Sequence, residues 1–223
     1  MSVRKTFDQV AAEYDTLKLR IIPGYREIQQ LTERLLALPG DRALRVLELG
    51  TGTGLWAARF LRRHPAARYE GIEFSEQMRT LAAARLEPFK ERAQLYDWDL
   101  NTCEFKGHYD LVVSFFTIHH VVDKAKLIER IYQALEAGGK FAYADVFQAK
   151  SQRLEKFFTS EWTAFMRRRK LEQARIDAIL ADHWENDLPE SLEQQLAYLK
   201  SAGFQNCGLV WQRGKFACFY GEK

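Results

Sequence analysis

Residues 44–60 read LRVLELGTGTGLWAARF, and the fold is decided by how this stretch is read. Val46, Leu47 and Leu49 form an apolar run of strand length. Gly50, Gly52 and Gly54 alternate with Thr51 and Thr53, and Leu55, Ala58 and Leu61 then recur at helical spacing. The pattern predicts a buried strand, a tight glycine turn and the start of a helix. Glycine suits a turn whose backbone takes positive φ or must let a ligand lie against bare main chain. A helix start adds unpaired N–H groups and the positive end of a dipole. Such a turn is suited to a nucleotide-like ligand.

The third glycine comes one residue earlier than in a G-x-G-x-x-G loop. The run from Glu48 to Gly54 instead resembles the E/D-x-G-x-G-x-G loop of class I S-adenosylmethionine (SAM)-dependent methyltransferases. Separated motifs carry the same resemblance: FDQVAAEYD at 7–15, IEFSEQM at 72–78, DWDL at 97–100, DLVVSFFTIHH at 110–120, LEAGGKF at 135–141 and LAYLKSAGF at 196–204. Together they cover residues 7–147 and 190–221. The resemblance implies SAM as cofactor, leaving as S-adenosylhomocysteine. It assigns cofactor contacts to Glu48, Gly50, Thr51, Gly52 and Gly54 in the loop. Glu73, about 20 residues past the loop, suits the ribose hydroxyls. Phe74 and Met78 would cover the adenosine, Asp99 would accept the adenine amine, and the Leu100 backbone N–H would donate to the ring. Tyr14, Tyr25 or Phe115 could offer an aromatic face to the sulfonium.

RIIPGY at 20–25 is similar to the R-x-I-P-G-Y segment of carboxy-SAM synthases, which act in transfer-RNA wobble modification. That likeness carries a cofactor-lining role onto Tyr25 and puts Arg20 near it. Two departures favour methyl transfer over carboxy-SAM synthesis. Phe115 stands where those synthases have Asn, and the chain shows no counterpart of the arginine that holds the extra carboxylate.

Around the loop, the alternation of strand and helix predicts an α/β fold: a Rossmann-like seven-stranded sheet with an antiparallel final strand and helices on both faces. Strands are expected at 69–74, 94–96, 109–116 and 140–146, with a closing pair at 207–212 and 216–220. Ser75 would cap a helix burying Met78, Leu81, Ala82 and Leu86. Leu127 to Leu135 would form a helix ending at Gly138-Gly139, and Leu192, Leu196 and Leu199 one ending at Gly203. Phe7, Val10, Ala11 and Tyr14 share a helical face that Thr6 could cap. Ile28, Leu31, Leu35, Leu36 and Leu38 share another, ended by Pro39-Gly40. Residues 1–223 thus form one domain, with a helical collar at 1–40 and a helical lid inserted at 148–188. In the lid, Phe158, Trp162 and Phe165 make an apolar stripe, and Arg167 to Lys170 are expected to be a solvated face.

Composition bounds the partners. The 223 residues carry a net charge of +3 and 3 cysteines. They contain no apolar run of membrane-spanning length and no signal-peptide core at the start. We expect a cytoplasmic protein with reduced thiols, no membrane or nucleic-acid partner, and a monomer or homodimer.

Methyl transfer is an in-line displacement at the carbon on a sulfonium, so the protein mainly aligns and desolvates. Where the acceptor must lose a proton, His119 and His120, just after the fourth strand, are the candidate catalytic bases. Being adjacent, they are expected to point differently, so no metal site is expected. Three functions fit this reading. The first is a methyltransferase with a small or medium organic acceptor. The others are a transfer-RNA-related enzyme (methylase or carboxy-SAM synthase) and a non-enzymatic SAM-binding module.

Overall fold

The computed structural model describes residues 13–36 and 42–223. The expected helix face at Phe7, Val10 and Ala11, the Thr6 cap, Leu38 and the Pro39-Gly40 stop lie outside the described residues. The elements in order are α1 (Tyr14–Ile21), α2 (Tyr25–Leu36), β1 (Arg45–Leu49), α3 (Leu55–Arg63), β2 (Arg68–Ile72), α4 (Glu76–Leu86) and β3 (Ala93–Tyr96). They continue with β4 (Tyr109–Phe115), α5 (Lys124–Ala134), β5 (Leu135–Val146), α6 (Gln152–Arg168), α7 (Gln173–Asn186), α8 (Leu192–Ala202), β6 (Gln205–Arg213) and β7 (Phe216–Glu222).

The seven strands form one sheet in the order β3-β2-β1-β4-β5-β7-β6. The first five are parallel. β7 inserts antiparallel between β5 and β6, as the closing pair predicts. Two cores lie on the two faces, because strand side chains alternate. Val46, Leu111, Val113 and Phe115 join α2 and α3 through Ile28, Leu36, Trp56 and Phe60. Leu47, Leu49 and Val112 join α5 and α8 through Leu127, Ile128, Ile131 and Leu199. Central strands buried on both faces explain the near-continuous apolar runs.

Two expectations are corrected. First, α5 stops at Ala134, and Leu135 turns extended to open β5. β5 pairs Tyr109 with Leu135, then Leu111 with Lys140. The residues between bulge outward, with Gly138 at φ +75° donating to the Lys223 carbonyl. Second, Leu81 is exposed. The buried face of α4 is Met78, Ala82 and Leu86, one residue every four. Tyr14 is the first residue of α1, which runs on toward Pro23.

Ser75 does cap α4, accepting from the Met78 N–H. Gly203 ends α8 in the left-handed conformation. Arg167 to Lys170 are exposed, as expected. Among the described residues no helix is long and apolar enough to cross a membrane.

Candidate functional site

β1 leads out to β2 and β3 on one side, whereas β4 leads to β5 on the other. The crevice beyond the ends of β1 and β4 is therefore the switch point where open α/β sheets bind ligands. A cleft of about 880 Å³, open mouth included, lies there. Gly50 and Gly52 form part of its wall, with Glu73 and Phe74 from the turn after β2, Met78 from α4, and Asp99 and Leu100 from the turn after β3.

The loop's geometry explains its glycines. Gly50, Gly52 and Gly54 all have positive φ. A Cβ on Gly50 would sit 1.9 Å from Thr117 Oγ1, and one on Gly54 would sit 3.1 Å from the Ala82 backbone. The first glycine thus admits β4's following turn, and the third lets α3 meet α4 closely. Glu73 is pinned by backbone: Gly52 N–H donates to Oε2 (2.8 Å) and Ser75 N–H to Oε1 (2.9 Å). Each carboxylate oxygen keeps a lone pair for a further donor. Burial raises the Glu73 pKa, against these backbone bonds and the nearby Lys18 and Arg79 charges.

α1 closes over the loop. Asp15 accepts from Thr53 Oγ1 (2.5 Å) and pairs with Arg85 of α4 (2.8 Å). One turn further on, Lys18 lies over the Tyr14 ring at 4.2 Å and donates to the Tyr25 hydroxyl at 2.9 Å. A Cβ built on Gly52 would be 3.6 Å from the Lys18 ammonium, so this buried cation faces the middle of the loop.

A second cavity, of about 660 Å³, lies under α6 and α7. Tyr14, Phe116 and His120 belong to the walls of both cavities, so the two meet there. The far wall includes Trp162 and Ile179, with His119, His183 and Asp187 beside them. The Trp162 indole donates to the Ile21 carbonyl (2.6 Å), and Arg20 donates to the Arg169 (3.0 Å) and Lys170 carbonyls, which ties α1 to the inserted helices.

The family description "Methyltransferase domain" matches residues 20–206. The chain belongs to the class I SAM-dependent methyltransferases. SAM is the cofactor of that superfamily. This methyltransferase is 23% identical over 97% of its length to the carboxy-S-adenosyl-L-methionine synthase of Nautilia profundicola, covering 93% of that protein. It is 32% identical over 64% of its length to the ubiquinone/menaquinone biosynthesis C-methyltransferase UbiE of Desulfotalea psychrophila, covering 57% of it. A SAM-dependent methyltransferase from Thermotoga maritima shares its fold, with a TM-score of 0.66 at 19% identity, over 97% of this chain and 98% of that one.

Not every residue expected at the cofactor lies on the cleft wall of the methyltransferase. Gly50, Gly52, Glu73, Phe74, Met78, Asp99 and Leu100 do. Asp97 instead has a largely exposed side chain facing Arg79. Glu48 is buried behind the loop and accepts from the Tyr69 hydroxyl (2.6 Å), which also bonds Thr51 Oγ1 (2.9 Å). Burial pushes the Glu48 pKa up to about 8, with Tyr69 and Lys18 opposing. Gly54 packs on α4, and Tyr25 stands behind Lys18, against Phe116. Phe115 turns into the core against Trp56, with ring centroids 5.5 Å apart. Phe116, one residue on at φ +62°, carries the aromatic ring onto both cavity walls.

The expectation that His119 and His120 point apart is corrected. A short 3₁₀ turn, Ile118–His120, brings their rings to 4.0 Å, side by side against Asp187. His120 Nδ1 is 3.3 Å and His119 Nε2 3.6 Å from Asp187 Oδ1. His119 Nδ1 bonds Asp145 Oδ1. Burial disfavours charge on His119, yet Asp145 and Asp187 raise its pKa above the ordinary value. Burial and the neighbouring His119 push His120 down to about 3. Asp187, His183 and Lys215 carried no motif and were invisible in the sequence, since they reach His119 and His120 only through the fold.

Proposed function

We propose that the chain transfers the SAM methyl group to a small or medium organic acceptor held under α6 and α7, which act as a lid. The observation that carries this reading is the shared wall: the cleft at the switch point, lined by the glycine loop and Glu73, meets a second, partly apolar cavity at Tyr14, Phe116 and His120. The cofactor would lie along Gly50 to Gly52 with its ribose on Glu73 and its adenine between Met78 and the Asp99–Leu100 turn. Lys18 would meet the methionine carboxylate, and the Tyr14 face the sulfonium. The acceptor's lone pair attacks the methyl carbon while the carbon–sulfur pair leaves to sulfur. No nucleophilic side chain is needed. His119 and His120 are the titratable groups at that boundary for an acceptor that must lose a proton. The free thiols of Cys103, Cys207 and Cys218 suit a reducing, cytoplasmic setting.

Calorimetry with SAM and S-adenosylhomocysteine tests the reading. Saturable binding of both is expected, and no heat at about millimolar ligand, where only Kd values weaker than the roughly −4 kcal/mol range escape, would sink it.

A second reading, carboxy-SAM synthesis, is favoured by the near full-length relatives of that name and by RIIPGY. Against it, Phe115 replaces the expected Asn. Mass spectrometry after incubation with SAM and prephenate discriminates: carboxy-SAM would appear only under this second reading.

A further inference from the structure

We infer that His119, His120 and Asp187 form a binding site for a divalent first-row transition ion, open to the acceptor. The sequence has 5 histidines, and three of them, His119, His120 and His183, line the lid cavity, His120 lining the cofactor cleft as well. One ligand atom each from His119, His120 and Asp187 can be chosen so that all lie within 4.8 Å of one another. The separations to Asp187 Oδ1, 3.3 Å from His120 Nδ1 and 3.6 Å from His119 Nε2, are edge lengths of a coordination polyhedron. With metal–ligand bonds of about 2.0–2.2 Å, neighbouring ligands stand about 3.0–3.5 Å apart.

The groups behind these atoms are those a metal site uses. His119 commits Nδ1 to Asp145, which leaves Nε2 as its donor atom. Asp145 is itself fixed, because Oδ1 also accepts from the Val146 N–H (2.8 Å). A ligating imidazole normally carries such a carboxylate on its other nitrogen. Asp187 is oriented in the same way. The fully buried Lys215 ammonium is held by Glu155 Oε1 (2.7 Å) and donates to His183 Nε2 (2.7 Å). His183 therefore carries its proton on Nδ1 and donates it to Asp187 Oδ2 (2.6 Å). Asp187 Oδ1 is left facing the two histidines. The Leu188 N–H donates to the His119 carbonyl (2.8 Å), fixing the Asp187 segment to the 3₁₀ turn.

Two imidazoles and one carboxylate suit zinc, iron or cobalt better than magnesium or calcium. Three protein ligands leave coordination positions open. All three ligands line the lid cavity, and His120 lines the cofactor cleft as well, so the ion would border the space proposed for the acceptor. The inference rests on the methyl-transfer reading for its substrate class: an acceptor with a ligating oxygen, such as a phenol, an enol or a hydroxy acid. The ion would lower the pKa of that O–H, which releases its proton to solvent. The oxygen pair, or the enolate carbon it feeds, then attacks the methyl group. His119 and His120 act here as ligands and not as bases.

The test uses the full chain stripped with a chelator. Calorimetry with ZnCl₂ and visible absorption with CoCl₂ are expected to show one ion per chain. Asp187→Asn and, separately, His120→Gln are expected to weaken Zn²⁺ binding by about 100-fold, and in Asp187→Asn, whose side chain lies off the cofactor cleft, S-adenosylhomocysteine binding stays within about twofold. The surface variant His108→Ala should bind the ion like the parent. Acetohydroxamate, an oxygen-donor probe, should shift the Co²⁺ bands if positions are open. Failure to bind Zn²⁺ or Co²⁺, or equal affinity in Asp187→Asn and the parent, overturns the site. Unshifted bands overturn its role toward the acceptor. If S-adenosylhomocysteine binds and the ion does not, the metal site alone falls. If neither S-adenosylhomocysteine nor SAM binds, the methyl-transfer reading falls as well.

Discussion

Gly50 shows how closely one atom can be specified. A methyl group there meets Thr117 Oγ1 at 1.9 Å on a left-handed backbone. Strain and overpacking together are worth about 2–4 kcal/mol. Gly50→Ala is therefore expected to lower the melting temperature by about 5–10 °C and to abolish S-adenosylhomocysteine binding, checked by thermal denaturation and calorimetry. Glu73→Gln is milder. The amide oxygen can still accept one of the two backbone N–H groups, but the charge is gone. We expect an intact fold and about 10–100-fold weaker cofactor binding, at 1.4 kcal/mol per tenfold. Glu48 gives a pH signature. Its folded pKa, raised by burial to about 8, exceeds the value of 4.5 for a free carboxyl. Between those values the folded chain holds a proton that the unfolded chain has released, so stability falls as pH rises through the window. Glu48→Gln keeps an acceptor for Tyr69 and removes that slope. Its melting temperature should exceed the parent's at about pH 9 and match it at about pH 4; equal curves at both would contradict the buried, proton-holding carboxyl.

At the scale of elements, α1 is a strap whose seat is polar. Asp15 joins Thr53 of the glycine loop to Arg85 of α4, and Lys18 reaches the Tyr25 hydroxyl. Asp15→Ala should speed hydrogen exchange throughout Tyr14–Ile21 and weaken cofactor binding several-fold, while exchange in β1 and β4 stays unchanged. The sequence made the strands and the loop legible because both follow local rules: apolar runs for strands buried on two faces, and glycine where φ is positive. Glu73, Met78 and Asp99 were legible for the same reason, as each sits at a fixed offset from a strand end. Phe116 was not. Of the two adjacent rings it is Phe116, and not Phe115, that faces the cleft, and the left-handed turn at a non-glycine residue that puts it there has no local signal. The end of α5 was misread because Gly138-Gly139 has the composition of a helix stop, although tertiary pairing of Leu135 with Tyr109 ends the helix sooner. The His119–His120 pair was visible, but its partner Asp187 arrives from the far end of α7.

For the molecule as a whole, division of labour follows the sheet. Under the proposed reading, the parallel half, β1 to β4 with their turns, carries the cofactor cleft, and β5, α6, α7 and the start of β7 line the acceptor side. The two cavities share three residues: Tyr14 at the start of α1, and Phe116 and His120 in the segment that follows β4. Widening the acceptor side should therefore leave the cofactor side alone. Trp162→Ala removes an indole packed on Phe216 and His183 and bonded to Ile21. It is expected to cost about 3–5 kcal/mol of stability. S-adenosylhomocysteine affinity should hold within about threefold by calorimetry, well under the 1.4 kcal/mol of a tenfold change.

β7 is late in the chain yet interior in the sheet, and Lys215 stands one residue before it. Until this strand docks on β5, no ammonium reaches His183, and Asp187 lacks the relay that aims it. The aim of Asp187 is thus set by the insertion of a distant strand and not by its own neighbourhood in the sequence.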